Sequence, residues 1–214
     1  MPTIPQCSDP CVFCTIASSV PIFDPTSSKQ SYPAVFTQRN VILSTQTYIA
    51  LLDIQPLVSS ACHILLIPRI HYERISDFPK PRMGSDDAHD SSVSRELGGL
   101  LAVLGSALPG AFGNISDFNV VQNNGPGAGQ VVPHVHFHII ARPPLTGASP
   151  ISDYLLHPST TFKRRWEYAS LIFGKGARSD LDPDAAMRTC DELRTYLYYN
   201  YWQTKRHRME RSKL

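Results

Sequence analysis

The sequence predicts a mixed α and β domain followed by a helical extension, and three observations carry that reading. Segments 34–38, 48–52, 63–67, 118–122 and 135–140 are short and rich in β-branched, aromatic or Leu residues, as strands are. Leu97, Leu100, Leu101, Leu104 and Leu108 recur at helical spacing and form one apolar stripe across residues 94–108. Past Pro143-Pro144 the chain changes character and ends in a second long helix.

That last helix opens at Asp182-Pro183, where Asp suits the N-cap and Pro the first helical position. Its apolar stripe is Met187, Cys190, Leu193, Leu197 and Tyr201. A shorter helix is expected near His71, and the Pro-, Asp- and Ser-rich segments 25–31 and 77–94 are expected to be loops. Gly174-Lys175 lacks the spacing of a phosphate-binding loop and reads as a turn before the last helix.

The 214 residues, 42% of them apolar, suffice for one ordinary core. A formal net charge of +2 argues against nucleic acid or a membrane surface as the main partner. The basic tail (Lys205, Arg206, Arg208, Arg211, Lys213) reads as a solvated terminus, with a weak contact to phosphates or an acidic partner as the alternative. The aromatic cluster around Tyr196, Tyr198, Tyr199, Tyr201 and Trp202 fits packing on the main domain or a subunit interface. With no charged-then-apolar leader and no apolar run near ~20 residues, the expectation is a soluble cytoplasmic or nuclear protein. Five cysteines, an odd number, argue against a disulfide framework, and Cys7, Cys62 and Cys190 read as ordinary thiols.

The most specific stretch is His134-Val135-His136-Phe137-His138-Ile139-Ile140. On a strand, alternate residues share a face, so the three imidazoles line up ~6.6 Å apart while Val135, Phe137 and Ile139 face a core. Imidazole suits attack on phosphorus near neutral pH, because its ordinary pKa is ~6.5 and it can itself leave.

This order resembles the signature of the histidine triad (HIT) family of nucleotide hydrolases and transferases. The resemblance extends to the blocks Asn123-Asn124-Gly125-Pro126-Gly127-Ala128-Gly129-Gln130, Leu52-Asp53-Ile54-Gln55-Pro56, His63-Ile64-Leu65-Leu66-Ile67-Pro68-Arg69-Ile70-His71 and Cys11-Val12-Phe13-Cys14, covering about residues 11–142. It implies an α+β, HIT-like fold: an antiparallel sheet of about five strands with one long and one short helix. Residues 1–145 would form the HIT domain, and residues 146–214 a helical C-terminal extension packing on that domain or on a dimer partner. The resemblance also implies a two-fold homodimer, with contacts expected on helix 97–108 and strand 118–122.

By the same resemblance His136 is the nucleophile, one ring nitrogen tied to a backbone carbonyl within the motif, and His138 serves the leaving group. Asp53 would hold the ribose, and Ile54, Phe13 and Ile16 the base. Gly125, Gly127 and Gly129 would bring N–H groups to the phosphate, and Asn123 and Gln130 would add their amides. Val131 stands where many relatives carry a hydroxyl, so that contact is missing.

Cys11 and Cys14 have the spacing of half a zinc site, and in relatives with this pair the other ligands correspond to His63 and His134. The alternative is a pair of reduced thiols. A structural zinc would give His134 a scaffolding role in place of a catalytic one; the chemistry itself requires no metal or organic cofactor. His71 reads either as an outer partner of the site or as a helix-start histidine.

His138 stands where transferases of the superfamily carry Gln, which favours hydrolysis. The expected substrate is a purine nucleotide: AMP, GMP or their amidates. A Hint-like phosphoramidase is favoured by Cys-x-x-Cys and Asn-Asn-Gly, and a Fhit-like dinucleoside polyphosphate hydrolase by Gly-Pro-Gly-Ala-Gly-Gln. A non-catalytic nucleotide-binding scaffold is the reading from another class.

Overall fold

The computed structural model describes residues 11–22, 40–79, 92–143 and 176–211, with side chains described as far as Asn200. The expected strand at 34–38, most of loop 77–94, Gly174-Lys175, Cys7 and the side chains of Tyr201, Trp202 and the basic tail lie outside the described residues.

Five strands form one antiparallel sheet in the order β1-β2-β3-β5-β4. They are β1 (Val41–Ser44), β2 (Tyr48–Leu52), β3 (Cys62–Pro68), β4 (Phe118–Gln122) and β5 (Phe137–Ala141). β1, missed in the sequence, is a buried Val-Ile-Leu run turned into β2 by Thr45, whose hydroxyl accepts from the Thr47 and Tyr48 N–H groups at 3.2 and 3.0 Å. β2, β3 and β5 are buried along their whole length, which requires cover on both faces.

One face carries α2 (Ser92–Phe112) and α3 (Pro183–Arg211). There Ile42, Leu52, Ile64, Leu66, Phe137 and Ile139 meet Leu97, Leu104, Leu108, Cys190, Leu193 and Leu197 in one core. Asp182 caps α3, accepting the Ala185 N–H at 2.7 Å. Its buried stripe is Ala186, Cys190, Leu193 and Leu197, while Met187 is exposed. The buried Arg194 guanidinium bonds the Val41 carbonyl at the sheet's edge, Nε donating at 2.9 Å. At Gly110 the two helices approach so closely that a Cβ would lie 1.9 Å from the Tyr196 ring.

The other face carries α1 (Val12–Ser19), where Phe13, Ala17 and Val20 at helical spacing pack on Val41, Ile49, Leu51, Leu65 and Ile67. This is the short helix. The one expected near His71 does not form; a 3-10 turn at Ile75–Asp77 stands there instead.

Residues 177–181 run antiparallel beside 54–58, with Val58 N–H to Ala177 O at 2.9 Å, Ser179 N–H to Pro56 O at 3.2 Å and Leu181 N–H to Ile54 O at 2.9 Å. Among the described residues, no helix is long and apolar enough to cross a membrane.

Candidate active site

Of the triplet only His138 lies within β5; His134 and His136 precede it on an approach held by His134 N–H to Val132 O at 2.8 Å and Val135 N–H to Tyr72 O at 2.7 Å. Val135, Phe137 and Ile139 face the helical core, and the three histidines are buried on the α1 side of the sheet. His136 Nδ1 donates to the His134 carbonyl at 2.7 Å. That bond fixes the tautomer and leaves Nε2 with its lone pair. Burial, the largest influence, lowers the His136 pKa, which keeps the ring neutral at physiological pH.

His138 is oriented from behind. The Leu57 N–H donates to His63 Nδ1 at 3.3 Å, so the His63 proton sits on Nε2 and donates to His138 Nδ1 at 2.9 Å. His138 therefore carries its proton on Nε2. Asp53 Oδ2 lies 3.6 Å from His63 Nε2. Burial pushes the His63 pKa down to about 4 and that of His138 down to about 3, with the charge of His63 adding to the latter. Both rings are neutral at pH 7, and His63 keeps the His138 N–H available as a donor.

His136 and His138 open onto a cavity of about 690 Å³. Phe13, Ile16, Leu51, Ile54 and Leu65 supply its apolar lining, Asn123 and Gly129 part of its polar wall, and Asp53 and Arg178 the two charges among its described lining residues. The Phe13 ring centroid is 5.2 Å from that of His136. Arg178 comes from the C-terminal extension and was not singled out in the sequence: it donates to Asp53 Oδ2 at 2.8 Å and to the Gln55 carbonyl at 2.5 Å.

Beside the cavity, Cys11, Cys14, His71 and His134 converge, their ligand atoms within 4.8 Å of one another. Sγ of Cys11 and of Cys14 lie 3.5 and 3.6 Å from His134 Nδ1, and Cys14 Sγ lies 3.3 Å from His71 Nδ1. A tetrahedral zinc with arms of ~2.3 Å to sulfur and ~2.0 Å to nitrogen has S···N edges of ~3.5 Å. The donor set therefore fits the ion. His134 Nε2 donates to the Pro68 carbonyl at 3.0 Å, the outer contact a metal-bound imidazole uses.

His63 is not part of this set, which corrects the expected ligands. β3 and β5 are antiparallel, with Leu66 opposite Phe137 and His63 opposite Ile140. The approach to β5 at His134 therefore meets the Pro68 end of β3, about 16 Å from His63 at the rise of a strand. His71, just past that end, supplies the fourth donor.

A HIT domain model matches residues 37–145, half of the chain. The chain belongs to the HIT family. It is 31% identical over 133 residues to adenosine 5'-monophosphoramidase HNT1 of Saccharomyces cerevisiae, covering 62% of each chain. It is 32% identical over 110 residues to the bifunctional bis(5'-adenosyl)-triphosphatase/adenylylsulfatase FHIT of Arabidopsis thaliana, covering 51% of this chain and 53% of that one. The chain thus spans somewhat over half the length of these two relatives. A Hit-like protein from Bartonella henselae superposes with a TM-score of 0.52 at 18% identity, covering 89% of this chain and 99% of that one; its fold is the same.

Within this HIT domain two expected phosphate contacts are otherwise engaged. The Gln130 side chain does not line the cavity: its Oε1 accepts the Gly125 N–H at 2.6 Å, and its Nε2 donates to the carbonyls of Glu73, Val132 and His134 at 2.8 to 3.3 Å. The amide braces the loop. The Ala128, Gly129 and Gln130 N–H groups also bond inside the loop, to Gly125 O, Pro126 O and Gly125 O at 3.0, 2.9 and 3.1 Å. Gly125 and Gly129, at φ of 91° and 83°, make that turn possible. Val131 is 90% exposed at the cavity's rim.

Proposed function

We propose that this HIT-family chain is a nucleotide hydrolase that cleaves purine nucleoside phosphoramidates through a nucleotidyl-His136 intermediate. The observation that carries the reading is the His136 bond to the His134 carbonyl, which leaves a neutral Nε2 at a cavity of nucleotide size beside a second, pre-oriented N–H donor. The base rests against Phe13, Ile16 and Ile54, and the reacting phosphorus lies between His136 and His138. His136 Nε2 attacks phosphorus; the P–N bond breaks, and the amine leaves taking the Nε2 proton of His138. Water then attacks phosphorus and returns a proton to His138 Nε2 as the His136–phosphorus bond breaks, and the nucleoside monophosphate departs.

Cys11, Cys14, His71 and His134 would hold a zinc ion, whose contribution is to tie α1 and the end of β3 to the catalytic approach. A homodimer through β4 completes the reading. Among the described residues this strand pairs only with β5, and it exposes Phe118 and Val120. The helix 97–108 stripe, expected at the same interface, packs largely inside the core.

The test is turnover of adenosine 5'-phosphoramidate against diadenosine triphosphate by wild type and His136→Ala. Expected is a preference for the amidate that the variant abolishes. Preference for the triphosphate by orders of magnitude selects the Fhit-like activity, and equal rates for wild type and variant remove the enzymatic reading.

A further inference from the structure

Within the extension, the strap beside residues 54–58 brings Arg178 into the cavity, where it is the one arginine or lysine among the described lining residues, as Asp53 is the one carboxylate. The guanidinium is fixed through Nη1 alone, on Asp53 Oδ2 and the Gln55 carbonyl. Its Nε and Nη2 have no partner among the described residues, and its side chain is 36% exposed, against 9% for that of Asp53. The arginine is thus held in place on one side and, among the described residues, leaves a pair of donors unpartnered on the other, the geometry that grips a phosphate with two parallel bonds.

The place of that edge follows from the cavity. A nucleotide with phosphorus at His136 and its base on Phe13 and Ile16 shares the cavity with Asp53, the one carboxylate among its described lining residues and the group suited to ribose hydroxyls. In this chain Asp53 is already engaged: Oδ1 accepts the Gln55 N–H at 2.9 Å and Oδ2 accepts Arg178. An isolated carboxylate would favour a bare diol and repel an anion. The Asp53–Arg178 pair is neutral and presents its cationic edge. We propose that Arg178 is a specificity residue for nucleotides that carry a second phosphate on the ribose, at the 2' or 3' position. The proposal deepens the nucleotide reading and rests on it.

The test is calorimetric binding of AMP, adenosine 2',5'-bisphosphate and adenosine 3',5'-bisphosphate at fixed ionic strength. For wild type, one of the bisphosphates is expected to bind about 10-fold or more tighter than AMP, the scale of one charge-assisted fork. In Arg178→Gln that ratio should collapse to near one, and Arg178→Lys, a point charge without the fork, should retain part of it. The double variant Asp53→Asn, Arg178→Gln should not restore it; restoration would mean that Arg178 merely neutralises Asp53. Equal affinities in wild type overturn the proposal without any variant. Equal weakening of all three ligands by Arg178→Gln overturns it too, placing the guanidinium on the shared 5'-phosphate. If none of the three binds, the nucleotide reading falls and takes this inference with it; AMP binding without discrimination removes the inference alone.

Discussion

At one end of the triplet, His134 faces two thiols and a second imidazole, with its far nitrogen on the Pro68 carbonyl. Four residues on, His138 faces His63 and, behind it, the Leu57 N–H and Asp53. One end is a clamp of metal-ligand type, the other a chain of neutral hydrogen bonds. His136 lies between, tied by its Nδ1 to the backbone of the clamped residue and open at Nε2 beside the relayed one. The same residue type at a period of two thus meets three surroundings: the Pro68 end of β3 and the cysteines for His134, the His134 carbonyl and Phe13 for His136, and His63 on β3 for His138. The His134 end should govern whether the strand is held; the His138 end should govern how fast the leaving group departs.

The largest effect should come from the middle residue. His136→Ala should lower kcat on adenosine 5'-phosphoramidate by at least ~10³-fold, since His138, the other imidazole among the described lining residues, presents its N–H and not a lone pair. Its melting temperature should stay near wild type, because neither end is touched. His63→Gln should lower kcat by ~10- to 100-fold with a smaller change in KM, the cost of removing an orienting partner. If the triplet's ends are distinct, bound zinc should be unchanged in this variant. A loss of metal on His63→Gln would mean that the two ends are not separate.

Cys14→Ser probes the opposite end. Metal content by elemental analysis should fall from one zinc per chain, and the melting temperature should drop by several degrees, about 1–3 kcal/mol of lost folding linkage. Residual turnover should exceed that of His63→Gln. A Cys14→Ser protein that melts like wild type would leave the cluster as thiols and imidazoles without a structural ion.

Much of this arrangement was legible locally. Alternation in residues 134–140 places the histidines on one face and Val135, Phe137 and Ile139 in the core, and the α3 cap at Asp182 stands where Asp-Pro predicts it. What the local pattern leaves open is register. Either His63 or His71 satisfies a Cys-Cys-His-His count, and only the antiparallel pairing of Leu66 with Phe137 selects His71. Applying that antiparallel sense to the sequence blocks would have found it. Helix α1 carries little local signal because it is only eight residues long, about two turns, too short for the Phe13, Ala17, Val20 spacing to form a sustained apolar stripe. Arg178 carries no local signal: it reaches Asp53 only because residues 177–181 pair with 54–58, more than a hundred residues away in the chain.

The smallest effect separates the ends by pH. His63 and His138 are held neutral by burial, to about 4 and about 3, below the ~6.5 of an unfolded chain. As pH falls below 6.5 the unfolded chain binds protons that the folded rings refuse, so their contribution to stability, full above that value, declines until about pH 4 for His63 and about pH 3 for His138. The slope is about 1 kcal/mol per pH unit for each such ring. Urea unfolding of wild type and His138→Asn at pH 7.5, 6 and 5 should therefore converge as pH falls, since the variant lacks one of these rings while both proteins keep the cysteine cluster. Parallel curves would mean that His138 takes up its proton as readily folded as unfolded. Its N–H would then not depend on the dry pairing with His63, and the contrast between a clamped end and a relayed end would rest on the clamp alone.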